Sequence, residues 1–158
     1  MLKLYRRDAE GLFYWEAWEA EGAIGIHRGR VGSPGETGHV PLEEGENPSR
    51  RIWLESAAPR AEGFAEWPVG DLTQVTLWVP ALRTLDASVG EPAWPFVVRM
   101  LSEALGSRGL GHCAGFDPGR QAFVVLTVDP ELAVPLLREG LASDDLVEGL
   151  VVTVEGGA

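Results

Sequence analysis

The stretch "GLFYWEAWEAEGAIGIHRGRVG", residues 11–32, decides the fold of the first half of the chain. Residues 12–20 and 23–31 are rich in aromatic or β-branched side chains at alternating positions, a pattern typical of half-buried strands. Between them, "EAEG" ends on Gly22, which supplies the positive φ of a tight turn. The stretch therefore predicts two antiparallel strands. The first puts one set of side chains on each face: Leu12, Tyr14, Glu16, Trp18 and Ala20 on one, and Phe13, Trp15, Ala17 and Glu19 on the other.

The segment that follows this hairpin predicts a loop, a short strand and one helix. "GSPGETG", residues 32–38, is typical of a loop, and residues 39–42 suit a third short strand. Asn47 is a candidate N-cap, and Pro48 suits the first helical position. Pro59 is expected to end or kink the helix, whose apolar stripe is Ile52, Trp53 and Ala57.

The second half alternates strands and helices in a different order. Strands are predicted at residues 72–79, 110–116, 122–128 and 146–154. A helix is predicted over residues 92–106, and Asp129 is expected to cap a second helix, in which Pro135 marks a kink or a start near Ala133. Leu132, Leu136, Leu137 and Leu141 are expected to face its core. Strand, helix, strand, strand, helix, strand is the ferredoxin-like βαββαβ order. We expect an α+β protein of two small domains, an antiparallel sheet with one helix at 1–68 and a ferredoxin-like sandwich at 71–156.

Composition and charge narrow the class of partner. The 158 residues carry 13 basic and 24 acidic side chains, a net charge of -11, and both halves are acidic. Duplex nucleic-acid binders concentrate positive charge, so this balance disfavours DNA and RNA and suits a protein partner. One cysteine allows no internal disulfide, the first residues lack the apolar core of a signal peptide, and no run approaches the roughly 20 apolar residues of a membrane span. We expect a cytoplasmic protein without membrane contact.

The segment "RGRVGSPGE", residues 28–36, resembles the signature of the WGR domain, which reads Trp-Gly-Arg, a β-branched residue, then Gly-x-x-Gly-Gln. The matching residues are Gly29, Arg30, Val31, Gly32 and Gly35. Arg28 stands in place of the family's tryptophan and Glu36 in place of its glutamine. Over roughly residues 1–67 the resemblance implies a small antiparallel sheet with one helix. In the poly(ADP-ribose) polymerase members this domain contacts DNA, and bacterial members occur as small modules. The second half looks like small bacterial ferredoxin-like domains without assigned catalysis.

The candidate binding residues lie mainly in this signature. Arg28 and Arg30 are two apart on a strand, so both side chains leave the same face and suit a phosphate or carboxylate. The alternative is that they pair with local acids across the hairpin, such as Glu16, Glu19 or Glu21. His27 is a third candidate contact.

Tryptophan is the second source of candidate contacts. The chain has six tryptophans, and Trp94 is expected in the core of the second half. Trp67 and Trp78 flank the predicted linker, where they are expected to join the two halves or to line a groove between them.

No catalytic or metal-binding pattern stands out. His112 and Cys113 are neighbours on a predicted strand and so point to opposite faces, and the three histidines show no metal-ligand spacing. Cys113 is expected to be a small buried residue. Asp144, Asp145 and Glu148 suit a solvated turn. We expect a non-enzymatic binding protein with no cofactor or metal and with a protein partner. The alternatives are a nucleic-acid or nucleotide sensor that uses Arg28 and Arg30, a small enzyme of unrecognised type, and a homodimer formed through an uncovered sheet face.

Overall fold

The computed structural model describes residues 1–78, 81–82, 84–86, 91–92, 94–142, 147–148 and 151–155. The chain divides into two compact units, Met1–Pro68 and Val69–Ala158, here called unit 1 and unit 2. The protein is α+β, as the sequence predicts, and each unit contains a four-stranded antiparallel sheet. No helix within the described ranges has the length and apolar character needed to cross a membrane.

The sheet of unit 1 runs in chain order, with each strand antiparallel to the next. Its strands are β1 (Leu2–Asp8), β2 (Gly11–Ala20), β3 (Ala23–Arg30) and β4 (Glu36–Pro41). The predicted hairpin is confirmed as β2 and β3. Strand β1 was not predicted, and the end of the predicted loop, from Glu36 to Gly38, belongs to β4 instead. These residues form a strand because they pair with β3. Turn propensity depends on local sequence and does not include that pairing.

The predicted single helix of unit 1 is two pieces, α1 (Pro48–Glu55) and α2 (Ala57–Ala61). Asn47 caps α1 as expected, since its side chain accepts a hydrogen bond of 3.0 Å from the backbone N–H of Arg50. The division falls four residues before Pro59, which has no N–H to bond the carbonyl of Glu55 and whose ring crowds that carbonyl.

The core of unit 1 lies between α1 and one face of the sheet. Its buried members are Leu4, Trp15, Ala17, Ile24 and Ile52. Trp53, predicted to share the apolar stripe with Ile52, is 66% exposed. Consecutive helical residues point about 100° apart, so only one of the pair faces the sheet.

Unit 2 builds its main sheet in the order β12-β5-β10-β9, all antiparallel. The elements in chain order are β5 (Thr73–Trp78), β6 (Ala81–Leu82), β7 (Thr84–Asp86), β8 (Glu91–Pro92), α3 (Trp94–Gly106), β9 (Gly111–Asp117), β10 (Ala122–Thr127), α4 (Pro130–Ala142), β11 (Val147–Glu148) and β12 (Val151–Glu155). The predicted final strand is two short ones, and its residues 146, 149 and 150 lie outside the described ranges. Between the predicted strand at 72–79 and the predicted helix at 92–106, the described residues include three short strands that the sequence did not indicate, β6, β7 and β8.

Both helices of unit 2 share one face of the sheet, because α3 packs on β9 and α4, and α4 packs on β5 and β12. Helix α4 begins at Pro130, and the Asp129 carboxylate accepts a hydrogen bond of 3.1 Å from the N–H of Leu132, as an N-cap does. A start near Ala133 is therefore wrong, and Pro135 lies inside α4.

Two apolar side chains of these helices lie outside the core in which they were predicted. Leu132 is 46% exposed, because the buried line of α4 runs four residues apart through Ala133, Leu137 and Leu141. Trp94 is 39% exposed. It is the first residue of α3, and its ring stacks on Phe116 with the centroids 6.1 Å apart.

Candidate functional site

Two hollows of unit 1 meet at Arg28, and together we call them the Arg28 groove. The first, of about 460 Å³, lies between the sheet and the helices, with Trp15, Ile26 and Pro59 among its lining residues. The second, of about 430 Å³, lies beside the loop that joins β3 to β4. Both are lined in addition by Arg28, Glu36 and Phe64. The groove therefore combines aromatic surface with charged groups of both signs.

Arg28 and Arg30 leave the same face of β3, as predicted, since Arg28 lies opposite Trp15 and Arg30 opposite Phe13. The Arg28 side chain is 69% exposed, and its guanidinium lies 3.9 Å from the carboxylate of Glu36. An exposed pair at that distance contributes between zero and about 1 kcal/mol, so Arg28 is available to another anion at little cost.

The local acids proposed as partners of these arginines do not take that role. Within the described residues Arg30 forms no ion pair, and its guanidinium lies against the backbone of Gly11. Glu16 projects from the other face of the sheet, where its carboxylate binds Lys3 at 2.8 Å. Neither Glu19 nor Glu21 forms an ion pair with β3 in the described part of the chain.

Arg6 packs against two aromatic residues that line the groove, a contact that the sequence did not reveal. Its guanidinium carbon lies 5.4 Å from the ring centroid of Phe13 and 4.9 Å from that of Phe64, which is a cation–π arrangement. The same side chain forms an ion pair of 3.1 Å with Asp8, while its Nε is buried without a hydrogen-bond partner. Alternation in "LKLYRRD" was the available signal, because β1 pairs Arg6 with Phe13 and so puts it on the face of the groove.

His27 lies on the opposite face of the sheet from the arginines, so the structure does not bring it to the groove. Its Nδ1 lies 2.9 Å from Glu16 Oε1, and its Nε2 lies 2.9 Å from the hydroxyl of Tyr14. A carboxylate only accepts hydrogen bonds, so Nδ1 carries a proton, and in the neutral form of the ring Nε2 accepts a hydrogen bond from the Tyr14 hydroxyl. Burial and the nearby Glu16 raise the pKa of Tyr14 to about 12, which keeps this donor protonated. Glu16, His27 and Tyr14, together with the half-buried Lys3, thus form a buried chain of contacts that joins β1, β2 and β3.

Two glycines of the signature are explained by this buried chain. A Cβ atom at Gly35 would overlap the Tyr14 hydroxyl and lie 2.5 Å from the carbonyl oxygen of Arg28. At Gly29 it would lie 2.9 Å from the Cα of Gly35 and 3.2 Å from the Tyr14 hydroxyl. Gly32 has a φ of 89°, the left-handed region that glycine occupies without strain. The loop closes over Tyr14 at a distance that only glycine permits.

The two candidate tryptophans each have a partner in their own unit. In unit 1, the Trp67 ring meets Tyr5 edge-on at 5.6 Å, and the guanidinium of Arg7 lies 5.9 Å from it. In unit 2, the indole N–H of Trp78 donates a hydrogen bond of 3.1 Å to Thr153 Oγ1. Their predicted role in joining the halves stays a prediction.

The remaining reactive side chains do not assemble into a centre within the described residues. Cys113 is 6% exposed, and burial raises the pKa of its thiol, so it stays protonated and packs as a small apolar residue. Its backbone N–H bonds Ser102 Oγ at 3.2 Å. No three His, Cys, Asp or Glu side chains of the described ranges lie close enough together to hold a metal ion. Asp144 and Asp145 lie outside those ranges.

Sequence reasoning thus found the two arginines of the site and missed the groove around them. The groove depends on Phe64, which follows α2, and on β4, whose first three residues the sequence assigns to a loop. Neither contact has a local signal in the sequence, since both join segments distant along the chain. Comparison of the chain with protein-family models, with curated proteins and with solved structures found no match.

Proposed function

We propose that this chain is a non-enzymatic binding protein and that it recognises a protein partner through the Arg28 groove. The observation that carries the proposal is the composition of the groove. The larger hollow is lined by an exposed arginine, Arg28, together with the aromatic residues Trp15 and Phe64 and with carboxylates. Arginine and aromatic residues are enriched at protein interfaces, where polar groups form the rim.

The weak contact between Arg28 and Glu36 leaves Arg28 available to a carboxylate of the partner. Its contact with Glu36 is long and solvated, so little is lost when it breaks. A carboxylate from a partner that excludes water while binding both guanidinium nitrogens gives a stronger, two-point contact. The hollows on either side offer space for apolar side chains next to that contact.

The charges around the groove favour a protein over a nucleic acid. Three carboxylates line the larger hollow, and each lies within 4.0 Å of an arginine: Glu36 of Arg28, Glu55 of Arg51 and Glu62 of Arg6. A phosphodiester backbone gains affinity from clustered positive charge, which this balanced set of charges does not provide.

A nucleotide or nucleic-acid end is the second candidate ligand, and the smaller hollow is what favours it. There Arg28 and Arg30 share one face with Phe13, and Arg30 has no ion pair within the described residues. Fluorescence anisotropy with a labelled, 5′-phosphorylated duplex at low and moderate salt tests this candidate. Tight binding that falls with salt and is lost in the double variant R28A/R30A would favour it over a protein partner.

We propose a specific fold for each of the two units as well. The order β12-β5-β10-β9, with two helices on one face, supports a ferredoxin-like domain at 71–156. A four-stranded sheet with α1 and a glycine loop closed over Tyr14 supports a WGR-like domain at 1–68. We also propose that the protein acts in the cytoplasm, since its one cysteine forms no internal disulfide.

Photocrosslinking inside the native host tests the protein partner directly. Ala58 lines the larger hollow, whereas its exposed neighbour Ala57 on α2 does not, so the two positions form a matched pair. A benzophenone amino acid at position 58 is expected to yield one defined protein adduct. The same group at position 57 should not, and R28E should abolish the adduct. A nuclease-sensitive adduct, or none at position 58, would contradict a protein partner.

A further inference from the structure

We propose that the partner enters the Arg28 groove as an extended segment that adds to the outer edge of β4 as a fifth strand. The segment is basic overall and carries one carboxylate that meets Arg28. This inference rests on the proposed function, because it takes the partner to be a protein. It adds a second recognition element to the groove. This element is the outer edge of β4, whose backbone N–H and C=O groups would pair with the partner.

The first step is that the outer edge of β4 is open. In the sheet order, β4 has β3 on one side and no described strand on the other. The opposite edge is partly closed, because Tyr5 of β1 exchanges backbone hydrogen bonds of 2.7 and 2.9 Å with Ala65. The first four residues of β4 are exposed. An open edge presents unpaired N–H and C=O groups to any extended chain that reaches it.

The register identifies which backbone groups of β4 face outward. The N–H of Leu42 donates a hydrogen bond of 3.0 Å to the carbonyl of Gly22, so these two residues form a hydrogen-bonded pair. Such pairs alternate along an antiparallel ladder. Val40, Gly38 and Glu36 therefore bond to β3. Thr37 and His39 direct their N–H and C=O groups away from the sheet.

The side chains around this edge leave room for an incoming strand. Gly38 lies on the groove face of β4, and a Cβ atom there would meet nothing within 4 Å. Ile26 lies next to it in the ladder and lines the larger hollow together with Trp15. A long apolar side chain on an added strand can thus cross Gly38 and reach Ile26. Backbone bonds would supply affinity, and this side chain would supply specificity.

The charge around the edge selects the occupant. Glu36 stands at its start, while Glu43 and Glu44 follow its end, next to Glu21 in the turn between β2 and β3. Within the described residues the side chains of Glu21, Glu43 and Glu44 form no ion pair, and their charge favours lysine or arginine on the incoming segment. A second copy of this chain would bring a net charge of -11, and a nucleic acid has no peptide backbone to pair with the edge.

Proline substitution at an outward position tests the strand pairing. H39P removes an N–H that faces solvent and leaves the bonds between β3 and β4 intact, a place where proline is tolerated. H39V is the matched control because it keeps the N–H. The probe is a display library of random 12-residue peptides selected on the full-length protein, followed by the most enriched peptide made synthetically.

We expect enriched peptides to alternate apolar residues with lysine or arginine and to include one aspartate or glutamate that meets Arg28. H39P should weaken binding of the synthetic peptide about tenfold, while H39V should stay within about twofold of the wild type. T37P gives an independent second variant, and amide exchange in β2 and β3 shows whether each variant is folded. Binding by H39P and T37P that equals the wild type would overturn strand addition.

Amide hydrogen exchange on the wild type gives a second readout that does not depend on a variant. In the free protein the amides of Thr37 and His39 should exchange fast, and those of Gly38 and Val40 slowly. The bound peptide should protect Thr37 and His39, and a lack of that protection would refute the inference. So would a dimer that H39P abolishes, or duplex DNA that displaces the peptide.

If the crosslink from position 58 captures a protein that H39P still binds, strand addition fails and the proposed function stands. If that crosslink fails, the proposed function itself is wrong.

Discussion

Replacing Gly35 by alanine tests the packing that shapes the groove. The new methyl group would overlap the Tyr14 hydroxyl, and it would lie 2.5 Å from the Arg28 carbonyl oxygen and 2.6 Å from His27 Nε2. Gly35 is not among the glycines with a positive φ, so the cost is steric and not conformational. The two nearest groups are a buried side chain and a backbone carbonyl, neither of which can swing aside as a flexible side chain does.

The magnitude follows from those contacts. Adding a methyl group to a filled site costs about 1–3 kcal/mol. Moving the Tyr14 hydroxyl away from His27 leaves a buried group without its partner, at a further cost of about 1–3 kcal/mol. We therefore expect Gly35→Ala to lower the free energy of unfolding of unit 1 by about 3 kcal/mol. Gly38→Ala is the matched control, because nothing lies within 4 Å of its new methyl group, and it should be neutral or slightly stabilising.

Amide hydrogen exchange at β2 and β3 is the assay, since it measures the opening free energy of unit 1 in the full-length chain. Adding Tyr14→Phe to Gly35→Ala removes the closest overlap, so the two changes together should cost less than the sum of their separate costs. Equal opening free energies for Gly35→Ala and Gly38→Ala would refute the reasoning. So would strict additivity in the double variant.

Three further predictions follow from burial and capping. Burial raises the pKa of both tyrosines, Tyr5 and Tyr14, above the ordinary value of 10.0, so a near-ultraviolet pH titration should show no phenolate step near pH 10; such a step would contradict their burial. The stability that each protonated tyrosine adds is full below pH 10 and is lost as the pH rises toward its folded pKa, about 12 for Tyr14. Trp15→Ala should cost about 3–5 kcal/mol in urea unfolding and Trp53→Ala less than about 0.5, since they are 5% and 66% exposed; similar costs would disprove this placement. Asn47→Ala should cost about 1 kcal/mol in the same assay, while Asn47→Asp should retain the cap.

The elements that the sequence predicts well depend on local rules. Alternation over residues 12–20 and 23–31 is enough to identify β2 and β3, and it also assigns His27 to the face opposite Arg28. Asn47 and Asp129 are recognisable as caps because the hydrogen bond of each spans only three residues.

The elements that the sequence misses depend on contacts between distant segments. Strand β1 carries Lys3 and Arg6, which count against a half-buried strand when they are read alone. In the fold, Lys3 meets Glu16 and Arg6 lies between aromatic rings, so both charges have partners that the local sequence does not contain. The start of β4 was assigned to a loop for the same reason.

The sequence by itself determined the α+β class, the central hairpin, the helix caps and the common face of Arg28 and Arg30. The alternation of side chains along a strand and the capping of a helix involve residues only a few positions apart, so both can be recognised in the local sequence. Only the tertiary structure decided that Gly35 closes over Tyr14, that Phe64 lines the groove beside the two arginines, and that no described strand pairs with the outer edge of β4. Those features arise where strands and loops far apart in the chain come within van der Waals contact, and no local pattern encodes such distances.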